Sequence, residues 1–281
     1  MDWPRRNTLL SSDLMEPNGE LAIRIGAALS IFAALALWEY LAPRRKLAVG
    51  RLGRWPSHVG LVVVYGLLER LLIPVAAVGT AAIAAQRGFG LLNVIACPGW
   101  LAAPIGFVAL DLAIYAQHVA FHKIPLLWRL HRMHHADLDV DVTTGLRFHP
   151  LEILLSMLIK MAVVAALGVP VLAVVAFEVA LNATSMFNHS NATMPLRLDR
   201  IVRLFVVTPD MHRVHHSVAP HETDSNFGFN LPWWDRLFGT YRPQPEAGHD
   251  AMTVGLPIFR KPGETRLDRL LTQPFREDVQ R

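Results

Sequence analysis

Four long apolar runs divide the chain, at residues 21–42, 57–85, 91–117 and 151–187. As helices, the first three are long enough to cross a hydrocarbon core of roughly 30 Å. The first is polar only near its ends, at Arg24, Glu39 and Tyr40, whose side chains can snorkel to the interface. The second contains Glu69-Arg70. Adjacent residues point apart on a helix, so these two make no simple facing ion pair, and their role stays open. Pro98 and Pro104 break the start of the third run, so a straight helix is expected from near Pro104. The fourth is split by Gly168-Val169-Pro170 into two arms of about 17 residues, roughly 26 Å each. That pattern predicts a hairpin, with Lys160 and Glu178 as its ionisable exceptions.

The expected fold is therefore all-α: an integral membrane helical bundle of about four spans, the last a hairpin, with a cytoplasmic histidine-rich helical cap. The divisions are a polar tail at 1–20, three transmembrane helices within 21–117, and a first histidine region at 118–150. The hairpin follows at 151–187, then a second histidine region at 188–241 and a cytoplasmic tail at 242–281.

Charge suggests an orientation. The loop after the first run holds Arg44, Arg45, Lys46, Arg51 and Arg54 and no acidic residue. The positive-inside rule assigns it to the cytoplasm, with the N-terminus outside and the third run returning to the cytoplasmic side near His118. The net charge of +4 then reads as topology and affinity for anionic lipid; no nucleic-acid-binding motif is visible. The single Cys97 excludes an internal disulfide and a thiolate metal centre. The N-terminal region lacks a small-residue cleavage site after its apolar run, which argues against a removable signal peptide.

Most of the 13 histidines fall at helical spacing in the polar regions. His118 and His122 are four apart; His131, His134 and His135 form a trio, repeated as His212, His215 and His216. Positions three and four apart share a helix face, so each group aims its imidazoles one way. His149, before Pro150, and His189, after Asn188, lie between the trios. Packing so many rings without a metal would leave ring nitrogens competing for partners, whereas nine or ten nitrogens suit two metal ions. Iron, zinc, copper and nickel all accept imidazole; a reducing compartment and an apolar pocket favour iron, and bis-histidine haem fits trios less well. His58 and His249 read as ordinary hydrogen-bonded histidines, and His221 stays open. Asp111, seven residues before His118, is a candidate to orient the first pair. Asp210 is a candidate acceptor or helix cap for the second trio. Asn188, Asn191 and Asn226 are candidates to hold a metal-bound water or a lipid head group. Asp137, Asp139, Asp141 and Asp224 are further acceptors or solvated surface groups. An apolar substrate would enter from the bilayer, between the third span and the hairpin.

These motifs, with Leu127-Trp128-Arg129, Arg147-Phe148-His149-Pro150-Leu151-Glu152, Pro209-Asp210-Met211, the 222–228 segment and Trp234-Asp235-Arg236-Leu237-Phe238-Gly239-Thr240, resemble the fatty acid hydroxylase and sterol desaturase superfamily. The resemblance is close over about 105–241 and strongest to bacterial members, implying an inner-membrane enzyme. It implies a non-haem di-iron centre that uses dioxygen and two electrons to hydroxylate or desaturate a lipid C–H bond. The ligands carried over would be His118, His122, His131, His134, His135, His149, His189, His212, His215 and His216. No His-Pro-Gly-Gly haem motif is present, so the electrons would come from a separate ferredoxin, cytochrome or reductase. The residues alone leave two rivals: a di-zinc hydrolase of membrane lipids, and a non-enzymatic metal- or lipid-binding membrane protein. The identity of the lipid, and hydroxylation against desaturation, stay open.

Overall fold

The computed structural model describes residues 17–277. Most of the polar tail expected at 1–20 lies outside them, but a helix already begins at Pro17. The long helices are α1 (Pro17–Leu41), α2 (Trp55–Leu72), α3 (Ala77–Arg87), α4 (Gly99–Lys123), α5 (Pro125–His135), α6 (Pro150–Leu167) and α7 (Val171–Asn188). The short α8 (Leu196–Val202) and α9 (Pro209–His215) lead into a cap of turns and single-turn helices. Among the described residues there is no strand, only two isolated bridges. Five helical segments are long and apolar enough to cross a membrane.

Two boundaries differ from expectation. The second run is not one helix, because Pro74 ends α2 and α3 restarts at Ala77. The third helix starts at Gly99 rather than near Pro104, with Pro98 before it and Pro104 inside. So near the N-terminus, Pro104 costs a single backbone bond.

The hairpin is the frame of the bundle. α4 packs on α6 and α7, α1 on α7, and α2 and α3 on α6. Leu110, Ile114, Met157, Val164, Val174 and Phe177 close the core between them. At the hairpin tip Gly168 adopts φ +69°, a left-handed turn that ends α6. A Cβ on Gly90 would sit 2.3 Å from the Gly168 amide nitrogen, so both glycines are needed where these turns touch.

Charges expected to snorkel turn inward instead. Glu39 is fully buried and accepts the amides of Val142 and Asn191, each at 2.6 Å, tying α1 to both histidine regions. The aspartates after the first trio are not solvated either. Arg54 is fully buried, with Nε and Nη2 on Asp137 at 2.7 and 2.6 Å and Nη1 on Asp141 at 2.7 Å. Arg147 adds a second cation, 3.0 Å from Asp137, and donates to the Met133 carbonyl at 3.0 Å. Asp139 accepts the Ala48 and Val49 amides. This cage locks the loop from α5 to α6 onto the start of α2. The last described segment is tied to α5: Arg132 donates to the Gln273 carbonyl at 2.7 Å and Arg129 to that of Pro274 at 2.8 Å.

Although burial disfavours its charge, the Arg54 and Arg147 guanidiniums hold the Asp137 carboxyl far below the ordinary range. A depressed folded-state pKa contributes stability that is present above the unfolded value of about 3.9 and is lost as pH falls below it. Removing one partner of a buried pair costs roughly 3–5 kcal/mol. Arg54→Gln is therefore expected to lower thermal stability strongly near neutral pH. The gap between wild type and variant should shrink below about pH 4, where the unfolded chain protonates Asp137 and the folded wild type does not. Thermal unfolding in detergent across that range checks both outcomes.

Candidate metal centre

α4, α5, α7 and α9 bring nine histidines into two groups. One holds His118, His122, His131, His135 and His215; the other holds His134, His189, His212 and His216. Within each group the nearest ring nitrogens all lie within 4.8 Å of one another. The helix period explains the division. His131 and His135, four apart, face the first group, while His134 turns to the second. In the other trio His212 and His216 face the second group and His215 the first. Each trio therefore serves both groups, and the rings of His135 and His216 stack at 4.6 Å across the boundary.

Six of these rings have a fixed partner for Nδ1. His118 meets the Phe227 carbonyl at 2.7 Å, His215 that of Ser225 at 2.7 Å, His189 that of Ser185 at 2.6 Å, and His134 that of Arg147 at 3.1 Å. His131 meets Glu152 at 2.7 Å and His122 meets Asp224 at 3.2 Å. A carbonyl or carboxylate only accepts, so the hydrogen-bond network assigns Nδ1 the proton and leaves Nε2 with a lone pair. Those Nε2 atoms face each other. The separations are 3.0 Å for His118–His131, 3.0 Å for His118–His215 and 3.0 Å for His134–His189. Two lone pairs repel at that distance unless a cation lies between them. A divalent ion about 2.1 Å from each of two nitrogens at a right angle sets them about 3.0 Å apart. The donor sets thus fit two metal ions, one per group, bound entirely by nitrogen.

Burial, first, and then the neighbouring histidines push His134, His135, His212 and His216 well below the ordinary histidine value. His215 is pushed well below it by burial and His131, and His189 drops to about 4, mainly by burial. These rings are neutral at pH 7, as metal ligation requires.

Several expected site residues lie elsewhere. His149 caps α6, accepting the Leu151 amide, and its Nε2 lies 3.3 Å from the Leu271 carbonyl. The Pro150 turn that makes it a cap points it away from both groups. Asp111 accepts from Trp234 Nε1 at 2.7 Å rather than orienting the first pair, whose Nδ1 partners are Phe227 and Asp224. Asp210 does not cap α9; Thr208 does, while Asp210 pairs with Arg213 and Arg44. Asn188 donates to the Phe229 carbonyl, Asn191 brackets Arg45, and Asn226 bridges Met211 and Arg242. All three brace loops. His58 meets Thr143 at 2.9 Å, and His249 lies buried 3.6 Å from Asp210. His221 stands apart with Glu222 and Glu246.

Sequence reasoning missed Glu152 as the partner of His131. Its signal was the only carboxylate of that arm, placed in its first turn. Trp128 was also missed: its ring lies 4.9 Å from His122 and 5.5 Å from His135. Two cavities reach the first group. One, of about 250 Å³, touches His118 and His131 and runs among α1, α2, α4, α6 and α7. The other, of about 360 Å³, touches His122, Trp128 and Asp224 from the cap.

The fatty acid hydroxylase family profile matches residues 103–240, which include all nine clustered histidines. Ornithine lipid hydroxylase OlsE of Rhizobium tropici is 28% identical over 77% of this chain and 66% of its own length. The alkylglycerol monooxygenase of Xenopus tropicalis is 30% identical over 50% of this chain and 30% of its own. Cholesterol 25-hydroxylase of Rattus norvegicus is 27% identical over 49% and 45%. The chain thus spans just under two-thirds of the first relative and less than half of the other two. No solved structure matches it. With a matching profile, lipid hydroxylases among its relatives and an all-helical bundle around the histidines, the chain belongs to the fatty acid hydroxylase and sterol desaturase superfamily.

Proposed function

We propose that this protein is a membrane-bound, dioxygen-dependent lipid hydroxylase with two non-haem iron ions held by nine histidines. The observation that carries this reading is the set of facing Nε2 lone pairs in two adjoining groups, the first opening into a cavity among the apolar helices. The names of its relatives support oxygen insertion into a lipid. Of the proposed ligands, His118, His122, His131, His135 and His215 hold one ion; His134, His189, His212 and His216 hold the other. Bound iron would supply dioxygen activation, with two electrons per turnover from an external donor.

The protein's own groups do the rest. Carbonyls of Phe227, Ser225, Ser185 and Arg147 hold the ring tautomers, as do the carboxylates of Glu152 and Asp224. Phe121, Phe148, Met157, Leu181 and Phe229 line the route among the apolar helices with apolar surface, excluding water and accepting a lipid chain. Trp128 and the cap-side cavity offer a separate approach for a ferredoxin, cytochrome or reductase. The basic loop packs on the cap through Arg44–Asp210 and the Arg45 amide to Asn191. The charge rule for that loop then supports a cytoplasmic centre and C-terminus and an external N-terminus.

Purified protein is expected to carry about two irons per chain by elemental analysis. His134→Ala and His215→Ala should each lower that content and abolish product. Zinc as the stable metal, with turnover undiminished without oxygen, would favour hydrolysis instead. Lipid extracts from cells with and without the gene should differ by one oxygen on a single lipid class, and only with air. Glu152→Gln keeps the size of the side chain but weakens the hold on His131. Metal affinity should fall roughly 10–100-fold, measured by competition with a chelator.

A further inference from the structure

Along α8 the cap turns a polar face inward and an apolar face outward. Asp199 and Arg203, four apart, are buried and paired with each other, and Thr208 donates to Asp199 at 2.5 Å. On the other side Leu198, Ile201, Leu204 and Phe205 are exposed, Ile201 by 60%. A segment that packs its polar residues and leaves its apolar ones outside reverses the arrangement water favours. The single-turn helix Trp233–Leu237 extends the patch with Trp233, Leu237 and, just past its end, Phe238, all exposed. Trp233 Nε1 donates to the Leu204 carbonyl at 2.8 Å and Arg236 to that of Arg203 at 2.8 Å, so the two segments lie side by side. None of these residues belongs to the five apolar segments that can cross a membrane. Apolar side chains scattered singly over a surface need no partner; seven on two joined segments mark a contact.

The depth of the patch identifies what covers it. α4 has 25 residues, about 37 Å, against a hydrocarbon core of roughly 30 Å, so only about 7 Å of it can project. Trp234 Nε1 donates to Asp111 at 2.7 Å, and the ring of Phe238 stacks on Tyr115 at 5.5 Å. Those two residues lie about 18 and 12 Å before the end of α4. The 233–238 segment therefore meets α4 below the level at which acyl chains begin. Arg197 and Arg200, both exposed, flank the apolar side of α8, where basic residues can meet anionic head groups. The same segment also reaches the histidines. Asp235 is fully buried and accepts the amides of Phe227 at 2.7 Å and Gly228 at 2.9 Å, and the Phe227 carbonyl holds His118.

We propose that α8 with the turn after it and the 233–238 segment form an in-plane membrane anchor, embedded at the boundary of head groups and acyl chains in the leaflet on the histidine side. The partner is the bilayer itself, with its phosphates at Arg197 and Arg200 and its upper acyl carbons against Ile201, Phe205 and Leu237. The cap thereby sits in the membrane surface rather than above it. Asp235 passes that placement to the loop that turns His118.

Depth-dependent quenching in the full-length protein tests the anchor. On a Cys97→Ala background, Ile201→Cys, Phe205→Cys and Leu237→Cys each carry a fluorescent label. Val108→Cys, exposed on α4, is the lipid reference, and Lys261→Cys, exposed in the tail, is the water reference. The nanodiscs contain phosphatidylglycerol and phosphatidylcholine, either plain or brominated high on the acyl chain, and iodide is the aqueous quencher. The three patch sites are expected to follow Val108→Cys, with brominated lipid quenching them roughly threefold more than Lys261→Cys and iodide quenching them less by a similar factor. Iodide quenching equal to that at Lys261→Cys would place the patch in water and overturn the proposal. Weak quenching by both agents would mean that protein covers the face, a second copy if the labels also quench one another, and would overturn it as well. Should the cysteine variants aggregate on gel filtration, wild type decides alone, irradiated with a phospholipid bearing a diazirine high in its acyl chain. Adducts in both 196–205 and 233–238 support the anchor; adducts confined to the long helices refute it.

Discussion

Nitrogen lone pairs facing one another at 3.0 Å are the constraint on which the rest of this structure depends. Such contacts are repulsive between neutral imidazoles and become attractive only around a cation. The fold does not avoid them; it enforces them. Six of the nine rings are turned by an acceptor on the far nitrogen, and four of those acceptors are backbone carbonyls from separate segments. Carbonyls cannot rotate away as side chains can, so ring directions are set by the course of the chain itself.

That course is held by charges buried around the centre. Glu39 gathers the amides of Val142 and Asn191, one beside each histidine region. Arg54 gathers Asp137 and Asp141, just past the first trio. Both sit where apolar helices meet the cap. Their desolvation cost is large; for Arg54 it is offset by Asp137 and Asp141 at 2.6 and 2.7 Å, and for Glu39 by its two backbone amides. A more apolar substitute would pack as well but would not specify which backbone amide goes where.

How much of this was legible in the chain depends on the range of the interaction. Helix period and histidine spacing act within one turn, and they announced the trios, the hairpin and its Gly168 tip. The same period also contains the rule for sharing: first and last imidazole to one group, the middle one to the other. That division was not drawn from the sequence, because it needs the two trios placed face to face. Partners across the fold were least legible. Asp111 lies on the right helical face for His118, yet Trp234, 123 residues on, takes its carboxylate. His149 belongs to the histidine pattern by composition, but Pro150 fixes it as a cap. Glu39 and Arg24 looked like interfacial charges because a linear reading cannot see what an adjacent helix offers.

Site and fold are consequently one cooperative unit. The cap contains few long helices, and its loops are ordered by hydrogen bonds to histidines as much as histidines are ordered by loops. The binding free energy of any metal held there would also be folding free energy for the 188–241 region. Any change that loosens a carbonyl at Ser225 or Phe227 acts on affinity without touching a ligand. The membrane helices share in this: they close a core of Leu110, Ile114, Met157 and Phe177, and Phe229 of the cap is part of it. The bundle is therefore a wall against which the cap packs through Phe229, the same ring that lies 5.0 Å from His118, so core packing and ring placement are set together.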